Sequence, residues 1–169
     1  MIEIASEIIK AATKKGLMVA AAESCTGGLI SASLTDVPGS SAVVDRGFVT
    51  YTNDAKVEML GVPLGSIESQ GAVSDIVVRA MVAGALENSR ADVAVAVTGI
   101  AGPTGGTETK PVGLVYIASQ TRDGLASVQE IFFGNELTTV TRENVRNASV
   151  LMALKMLKSE IDQATPSEL

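Results

Sequence analysis

A chain of 169 residues, 46% hydrophobic and 19% charged, has the make-up of one folded domain able to bury about 70% of its unfolded surface. A net charge of −6 argues against a non-specific grip on nucleic acid, no apolar run reaches the roughly 18 residues of a membrane span, and an amino end carrying Glu3 and Glu7 is no signal peptide, so a cytoplasmic protein with neither nucleic-acid nor membrane partner is expected. One cysteine excludes an intrachain disulfide, and the absence of histidine removes His-based triads and His-ligated zinc, so any hydrolytic chemistry needs another base.

Ile2, Ala5, Ile8, Ile9 and Ala12 recur at helical spacing, and Lys14-Lys15-Gly16 supplies a stop, which predicts a first helix. Leu17 to Ala22 is a short apolar run, read as a buried strand although alanine is a weak strand former. It runs into Glu23-Ser24-Cys25-Thr26-Gly27-Gly28, after which a helix from about Thr26 to Leu34 is expected, capped by Ser24 or Thr26. Such a joint leaves first-turn N–H groups facing the strand end, where they and the helix dipole favour a phosphate, a carboxylate or a developing oxyanion. Asp36-Val37-Pro38-Gly39-Ser40-Ser41 is a turn by composition.

Val43 to Thr52 reads as a strand that breaks at Asn53-Asp54, followed by a short helix, Asp54 to Leu60, capped by one of those two residues and closed by Gly61. Ser66 to Gly71 reads as loop. Ile76, Val77, Ala80, Met81, Gly84 and Ala85 then mark a helix with Ser74 as N-cap and an end near Asn88. Asp92 to Thr98 is the clearest buried strand, and it leads into the glycine-rich stretch Gly99 to Gly106. Val112 to Gln120 and Ser127 to Phe133 flank the turn residues Arg122-Asp123-Gly124 and predict a hairpin. Thr138 or Thr141 opens a last helix with the core stripe Ala148, Leu151, Leu154, Leu157 and Ile161, and the tail from Gln163 is expected to fray. No repeat, charge block or linker divides residues 1–169. The chain is therefore read as a single α/β domain, a three-layer α/β/α sandwich with a mixed, mostly parallel sheet.

Chemistry concentrates at two places. Gly99 to Gly106 follows a buried strand but matches no P-loop pattern, so it reads either as a mobile loop or as a phosphate cradle. At the other, Ser24 and Cys25 are adjacent nucleophiles. Cys25 is the easier to activate at a helix N-terminus, yet a lone cysteine among alanines also reads as buried filler. Ser24 is either a plain cap or a nucleophile needing a base. Lys56, close to the end of the strand bearing Tyr51, is the candidate, although a solvated surface role is the plain alternative for any lysine. To serve, its pKa must fall about three units from about 10.4, close to 4 kcal/mol of environmental work, which burial and nearby cations can supply. Tyr51 could relay or orient the proton.

Ala22-Glu23-Ser24-Cys25-Thr26-Gly27-Gly28, Gly47 to Lys56, Gly71-Ala72-Val73-Ser74, Thr98 to Gly106, Lys110-Pro111-Val112-Gly113 and Arg142-Glu143-Asn144-Val145-Arg146 together resemble the CinA carboxy-terminal domain family, in the expected order over nearly the whole chain. The resemblance implies a three-layer sandwich and a nicotinamide mononucleotide amidohydrolase (NMN deamidase), which converts the carboxamide to nicotinic acid mononucleotide and ammonia with no metal or cofactor. It places the nucleophile on Ser24, the base on Lys56 and an assisting tyrosine on Tyr51. First-turn N–H groups at Cys25, Thr26 and Gly27 are then expected to hold the oxyanion. The substrate phosphate needs local cations in an acidic protein, with Arg46, Lys110, Arg142 and Arg146 as candidates and the backbone of Gly102, Gly105 and Gly106 as cradle. Larger family members carry a further amino-terminal domain associated with pyrophosphatase activity and with the competence and damage-inducible name; here the deamidase alone is expected. A non-catalytic nucleotide-binding or regulatory module and an amidase acting through Cys25 remain as alternatives. The small-molecule partner is a nucleotide, and a homodimer is the expected assembly.

Overall fold

In the computed structural model, which describes residues 1–166, five strands form one sheet in the order β2-β1-β3-β4-β5: β1 (Val19–Glu23), β2 (Val44–Val49), β3 (Val93–Gly99), β4 (Leu114–Thr121) and β5 (Ser127–Phe132). β1 pairs in parallel with both β2 and β3, whereas β3–β4 and β4–β5 are antiparallel, so β4 alone opposes the other four. The reversal is the hairpin expected between Val112 and Phe133. Seven helices cover the sheet: α1 (Ile2–Lys15), α2 (Leu29–Thr35), α3 (Asn53–Leu60), α4 (Leu64–Gln70), α5 (Asp75–Glu87), α6 (Phe133–Glu136) and α7 (Arg142–Gln163). Residues of α1, α2 and α7 pack on one face, and those of α3, α4 and α5 on the other, giving the three-layer sandwich.

Alternation along the strands gives the two faces different thicknesses. Val19, Val93, Val95, Val97, Val115 and Ile117 face α1, α2 and α7. Ala20, Ala22, Ala94, Ala96 and Ala118 face α3 and α5. The alanines that are poor strand formers in isolation therefore make a thin face on which helices can sit close. α5 also crowds α3, because a Cβ at Gly84 would overlap the Leu60 carbonyl. β1 is buried at all five positions, as expected of a strand with neighbours on both edges and helices on both faces.

Several local expectations are corrected. The segment expected as loop at Ser66 to Gly71 is mostly α4: Pro63 stands at its N-cap position, Gly71 at its C-cap, and Ile67 is its one buried side chain. With a single anchoring residue among Gly and Ser, it carries no visible period. α6 is a further helix that the sequence does not announce. α3 is capped by Thr52, whose hydroxyl accepts from Ala55 N–H, rather than by Asn53 or Asp54, because β2 stops at Val49 and leaves Thr50-Tyr51-Thr52 as a link. Ser74 holds the N-cap position of α5, but its hydroxyl donates to the Gly71 carbonyl. Of the two threonines proposed to open the last helix, Thr141 caps it through Asn144 N–H, and the buried stripe is Val145, Val150, Ala153, Leu154, Leu157 and Ile161. Leu151 is exposed and Ala148 only half-buried. Gln163 is still helical, and Lys15 Nζ donates to the carbonyls of Ile161, Asp162 and Ala164, so the chain is held to that point; residues 167–169 of the expected frayed tail lie outside the described residues. No described helix is long and apolar enough to cross a membrane.

Candidate active site

β1 ends at Glu23, the chain turns through residues 24–28, and α2 starts at Leu29, three residues later than expected, with Gly28 (φ 98°) at the N-cap position. Neither Ser24 nor Thr26 caps it. Glu23 does so from the strand: its fully buried carboxylate accepts from the N–H groups of Gly28 (3.0 Å), Ile30 (3.0 Å) and Ser31 (2.9 Å) and from the Ser31 hydroxyl (2.8 Å). Ser31 Oγ fits there because Gly47, opposite it on β2, has no Cβ to collide with it. The positive end of α2 is thus already matched by a carboxylate. That corrects the expectation that its first-turn donors are open to an anion. Gly27 N–H is also engaged, by the Ser24 carbonyl at 3.1 Å. Only the N–H groups of Cys25 and Thr26 in this turn have no acceptor in another described residue. Arg146, from α7, holds the turn from behind, its Nε donating to the Cys25 carbonyl (3.1 Å) and its Nη2 to the Thr26 carbonyl (3.0 Å).

Ser24 continues the β1–β3 ladder by donating its N–H to the Val97 carbonyl at 3.0 Å. Across the thin alanine face stands Lys56, in the first turn of α3. Side chains of a helix lean towards its N-terminus, and here that direction leads to the end of β1. Lys56 is 1% exposed, and its Nζ donates to Ser24 Oγ (3.0 Å) and the Thr50 carbonyl (2.8 Å). No carboxylate among the described residues pairs with it. Burial therefore holds its amine below the ordinary lysine range. A serine hydroxyl in contact with a desolvated, unpaired amine is the constellation of a nucleophile and its general base.

The neighbouring thiol is in the opposite condition. Cys25 is buried in the cluster with α1, α2 and α7, and that burial pushes its pKa up to about 11 despite the charges of Arg142, Arg146 and Lys56. The thiol is thus held protonated at neutral pH, although Cys25 is among the residues lining the cleft. Tyr51 is 58% exposed and stands on the rim of the cleft. Its hydroxyl accepts from Arg142 Nη2 at 2.6 Å, and it bonds to neither Ser24 nor Lys56, so the expected proton relay is not formed in this structure.

The cleft above Ser24 has a volume of about 270 Å³, and Lys56, Thr98, Gly102, Gly105 and Arg142 are among its lining residues. Of the four proposed cations only Arg142 lines it, its Nη1 donating to the Gly102 carbonyl at 2.9 Å. Arg46 lies on the edge strand β2, in register with Ala20 rather than with the strand end, and is engaged by Asp45 (2.7 Å) and the Asn88 carbonyl (2.9 Å). Lys110 ties the link before α5 by donating to the carbonyls of Gln70 and Val73. Arg146 is turned to the main chain as described, and Gly106 packs against the backbone of Val112 outside the cleft. Glu23 and Thr98 lie within the motifs that carry the family resemblance, but no role is assigned to either from sequence. A larger hollow of about 830 Å³ lies at the opposite end of the sheet, lined by Leu17, Asp92, Arg122 and Glu160 among others, and there the Glu160 carboxylate accepts from the Ser119 hydroxyl at 2.9 Å. No group of three or more His, Cys, Asp or Glu residues converges among the described residues in a way that could hold a metal ion.

Comparison with known proteins gives a consistent result. A family model described as CinA C-terminal domain matches residues 1–161. A relative from Caldicellulosiruptor bescii, named for competence and damage induction, is 49% identical over 154 residues, 91% of this chain and 36% of that protein; the chain thus spans about a third of the length of such relatives. Nicotinamide-nucleotide amidohydrolase PncC of Escherichia coli K12 is 41% identical over 165 residues, 98% of this chain and 97% of that enzyme. Among solved structures, the competence/damage inducible protein CihA from Agrobacterium tumefaciens superposes with a TM-score of 0.91 at 52% identity, covering 96% of this chain and 95% of that one.

Proposed function

The chain belongs to the CinA C-terminal domain family, and from that premise we propose that it hydrolyses the carboxamide of nicotinamide mononucleotide to nicotinic acid mononucleotide and ammonia, with Ser24 as nucleophile and Lys56 as base. The observation that carries the proposal is the buried, carboxylate-free amine of Lys56 at 3.0 Å from Ser24 Oγ. A lysine in that state weakens the fold, and a function is the usual reason to keep it. Near-full-length similarity to an enzyme named nicotinamide-nucleotide amidohydrolase supports the choice of substrate.

In this mechanism neutral Lys56 takes the Ser24 proton as Oγ attacks the carboxamide carbon. The carbonyl oxygen becomes an oxyanion held by the N–H groups of Cys25 and Thr26, each good donor contributing on the order of 3 kcal/mol in the transition state. Collapse breaks the C–N bond, Lys56 returns the proton to the leaving nitrogen, and ammonia departs. Water, deprotonated by Lys56, then attacks the Ser24 ester, and Lys56 returns that proton to Ser24 Oγ as the C–O bond breaks and the acid leaves. Arg142 exchanges one of its present partners, Tyr51 or Gly102, for the substrate phosphate. Where Tyr51 is the partner given up, its freed hydroxyl orients the substrate at the rim. The proposal includes a cytoplasmic setting and a homodimer, the latter checked by sedimentation.

The test is ammonia release from nicotinamide mononucleotide. Ser24→Ala should lower kcat by about a thousandfold or more. Arg142→Ala should raise KM by about tenfold or more as a charged phosphate contact is lost, while Arg46→Ala leaves KM unchanged. Absence of ammonia from the parent protein, or full turnover by Ser24→Ala, would overturn the assignment.

A further inference from the structure

Ser24 does not stand alone at the carboxyl end of the sheet. The registers of β1 with its two parallel neighbours end where Glu23 meets Val49 and Val97. Thr50 N–H to the Glu23 carbonyl (2.8 Å) and Ser24 N–H to the Val97 carbonyl (3.0 Å) carry both ladders one step further. Thr50, Ser24 and Thr98 are therefore neighbours across three strands, spaced about 4.8 Å apart, on the alanine face over which Lys56 lies. All three are nearly or fully buried. Of the two that flank Ser24, Thr98 lines the cleft. Its Oγ1 donates to the Ala72 carbonyl at 2.9 Å. A carbonyl can only accept, so the single proton of the Thr98 hydroxyl is committed there, and lone pairs are all the oxygen can offer a ligand.

We infer that Thr98 Oγ1 is the group that reads the substrate's amide: it accepts an N–H of the carboxamide and so selects amide over acid. The inference rests on the amidohydrolase activity proposed above and names the specificity element of that site. A carboxamide has one acceptor edge and one donor edge. The free N–H groups of Cys25 and Thr26 suit its oxygen, and a hydroxyl that has no proton to give suits its NH₂. The carboxylate product has acceptors on both edges, so at Thr98 it sets lone pair against lone pair where water is excluded. Substrate is bound more tightly than product by about tenfold, the scale of one hydrogen bond gained or lost in a desolvated site. The site therefore empties after each turnover.

The experiment measures binding of nicotinamide mononucleotide and nicotinic acid mononucleotide by calorimetry to Ser24→Ala protein, which cannot turn over, with and without Thr98→Val. The Ser24→Ala protein should prefer the amide by about tenfold. Adding Thr98→Val should bring the two ligands close to parity by weakening the amide and not the acid, and Thr98→Ser should restore the preference. Thr98→Ala removes the same oxygen and replaces the valine variant if that one does not fold. A preference that survives loss of the oxygen, or an equal weakening of both ligands as a merely structural role would give, overturns the assignment. Ammonia release by the parent protein is measured alongside. If it is absent, the activity itself falls and this assignment with it; if it is present while the preference is unaltered, Thr98 alone is refuted.

Discussion

Replacing Glu23 by Gln tests how the turn that carries Ser24 is held, independently of any substrate. Each carboxylate oxygen accepts two hydrogen bonds, Oε2 from Gly28 and Ile30 N–H and Oε1 from Ser31 N–H and Oγ. A glutamine keeps only one such oxygen. Its NH₂ must face the other pair of donors, and the less damaging choice is the Ser31 side, where the hydroxyl can turn round to accept. Even so Ser31 N–H loses its partner in a buried place, at about 1–3 kcal/mol. The negative charge opposite the helix dipole is also lost, at about 1–2 kcal/mol for a buried terminus. The sum is about 2–5 kcal/mol, which at roughly 2–4 °C per kcal/mol for a chain of this size lowers the melting temperature by about 10 °C. Thermal unfolding and urea titration should agree, with the midpoint falling and the denaturant slope unchanged. A variant that melts within about 2 °C of the parent would show that the carboxylate does not hold this turn.

Lys56→Met should abolish ammonia release and yet melt above the parent at neutral pH. Because folding holds Lys56 below its ordinary pKa, the unfolded chain binds more protons between that depressed value and about 10.4, and stability rises with pH through the window. The variant lacks this dependence, so its advantage should fade as pH approaches about 10; an advantage independent of pH, measured by melts across the range, would contradict the assigned cause. Cys25, with its thiol pushed up to about 11 by burial, should resist iodoacetamide at neutral pH in the folded protein, and Cys25→Ala should keep turnover. Rapid labelling read by mass spectrometry, or an inactive Cys25→Ala, would restore the thiol as a candidate nucleophile.

Period and punctuation made the layers legible: the valine alternation of β3, the stop at Gly16 and the hairpin turn at Arg122-Asp123-Gly124 each follow from local chemistry. The place of Lys56 at the start of the helix after the strand leading to Tyr51 is also local; its meeting with Ser24 depends on β2 lying beside β1, which only the folded chain shows. What escaped depends on contacts distant in sequence or on side chains reaching past their own element. Glu23 reads as the polar end of a strand, and only the folded chain shows its carboxylate reaching five to eight residues ahead to cap α2. Arg146, Lys110 and Arg46 are alike as sequence letters; three-dimensional position makes the first two braces for carbonyls and leaves the third on a sheet edge. Thr98 closes an apolar run and opens a motif of the family resemblance, but its role is unread until strand register places it beside Ser24. α4 was missed because one buried isoleucine is too little to reveal a period.

The alanine face of the sheet has a consequence for where activity can be lost. Ala22 and Ala96 sit one pleat below Ser24 and Thr98 on the side that receives α3 and α5. The separation between sheet and helix layer thus acts as a spacer that fixes how far the Lys56 amine must reach. Two added methyl groups at either alanine would lift that layer without touching a reacting atom. The protein could remain folded while the Lys56 amine and the Ser24 hydroxyl drifted out of register, so that a lesion in the scaffold would present itself in an assay as a lesion in the proposed chemistry.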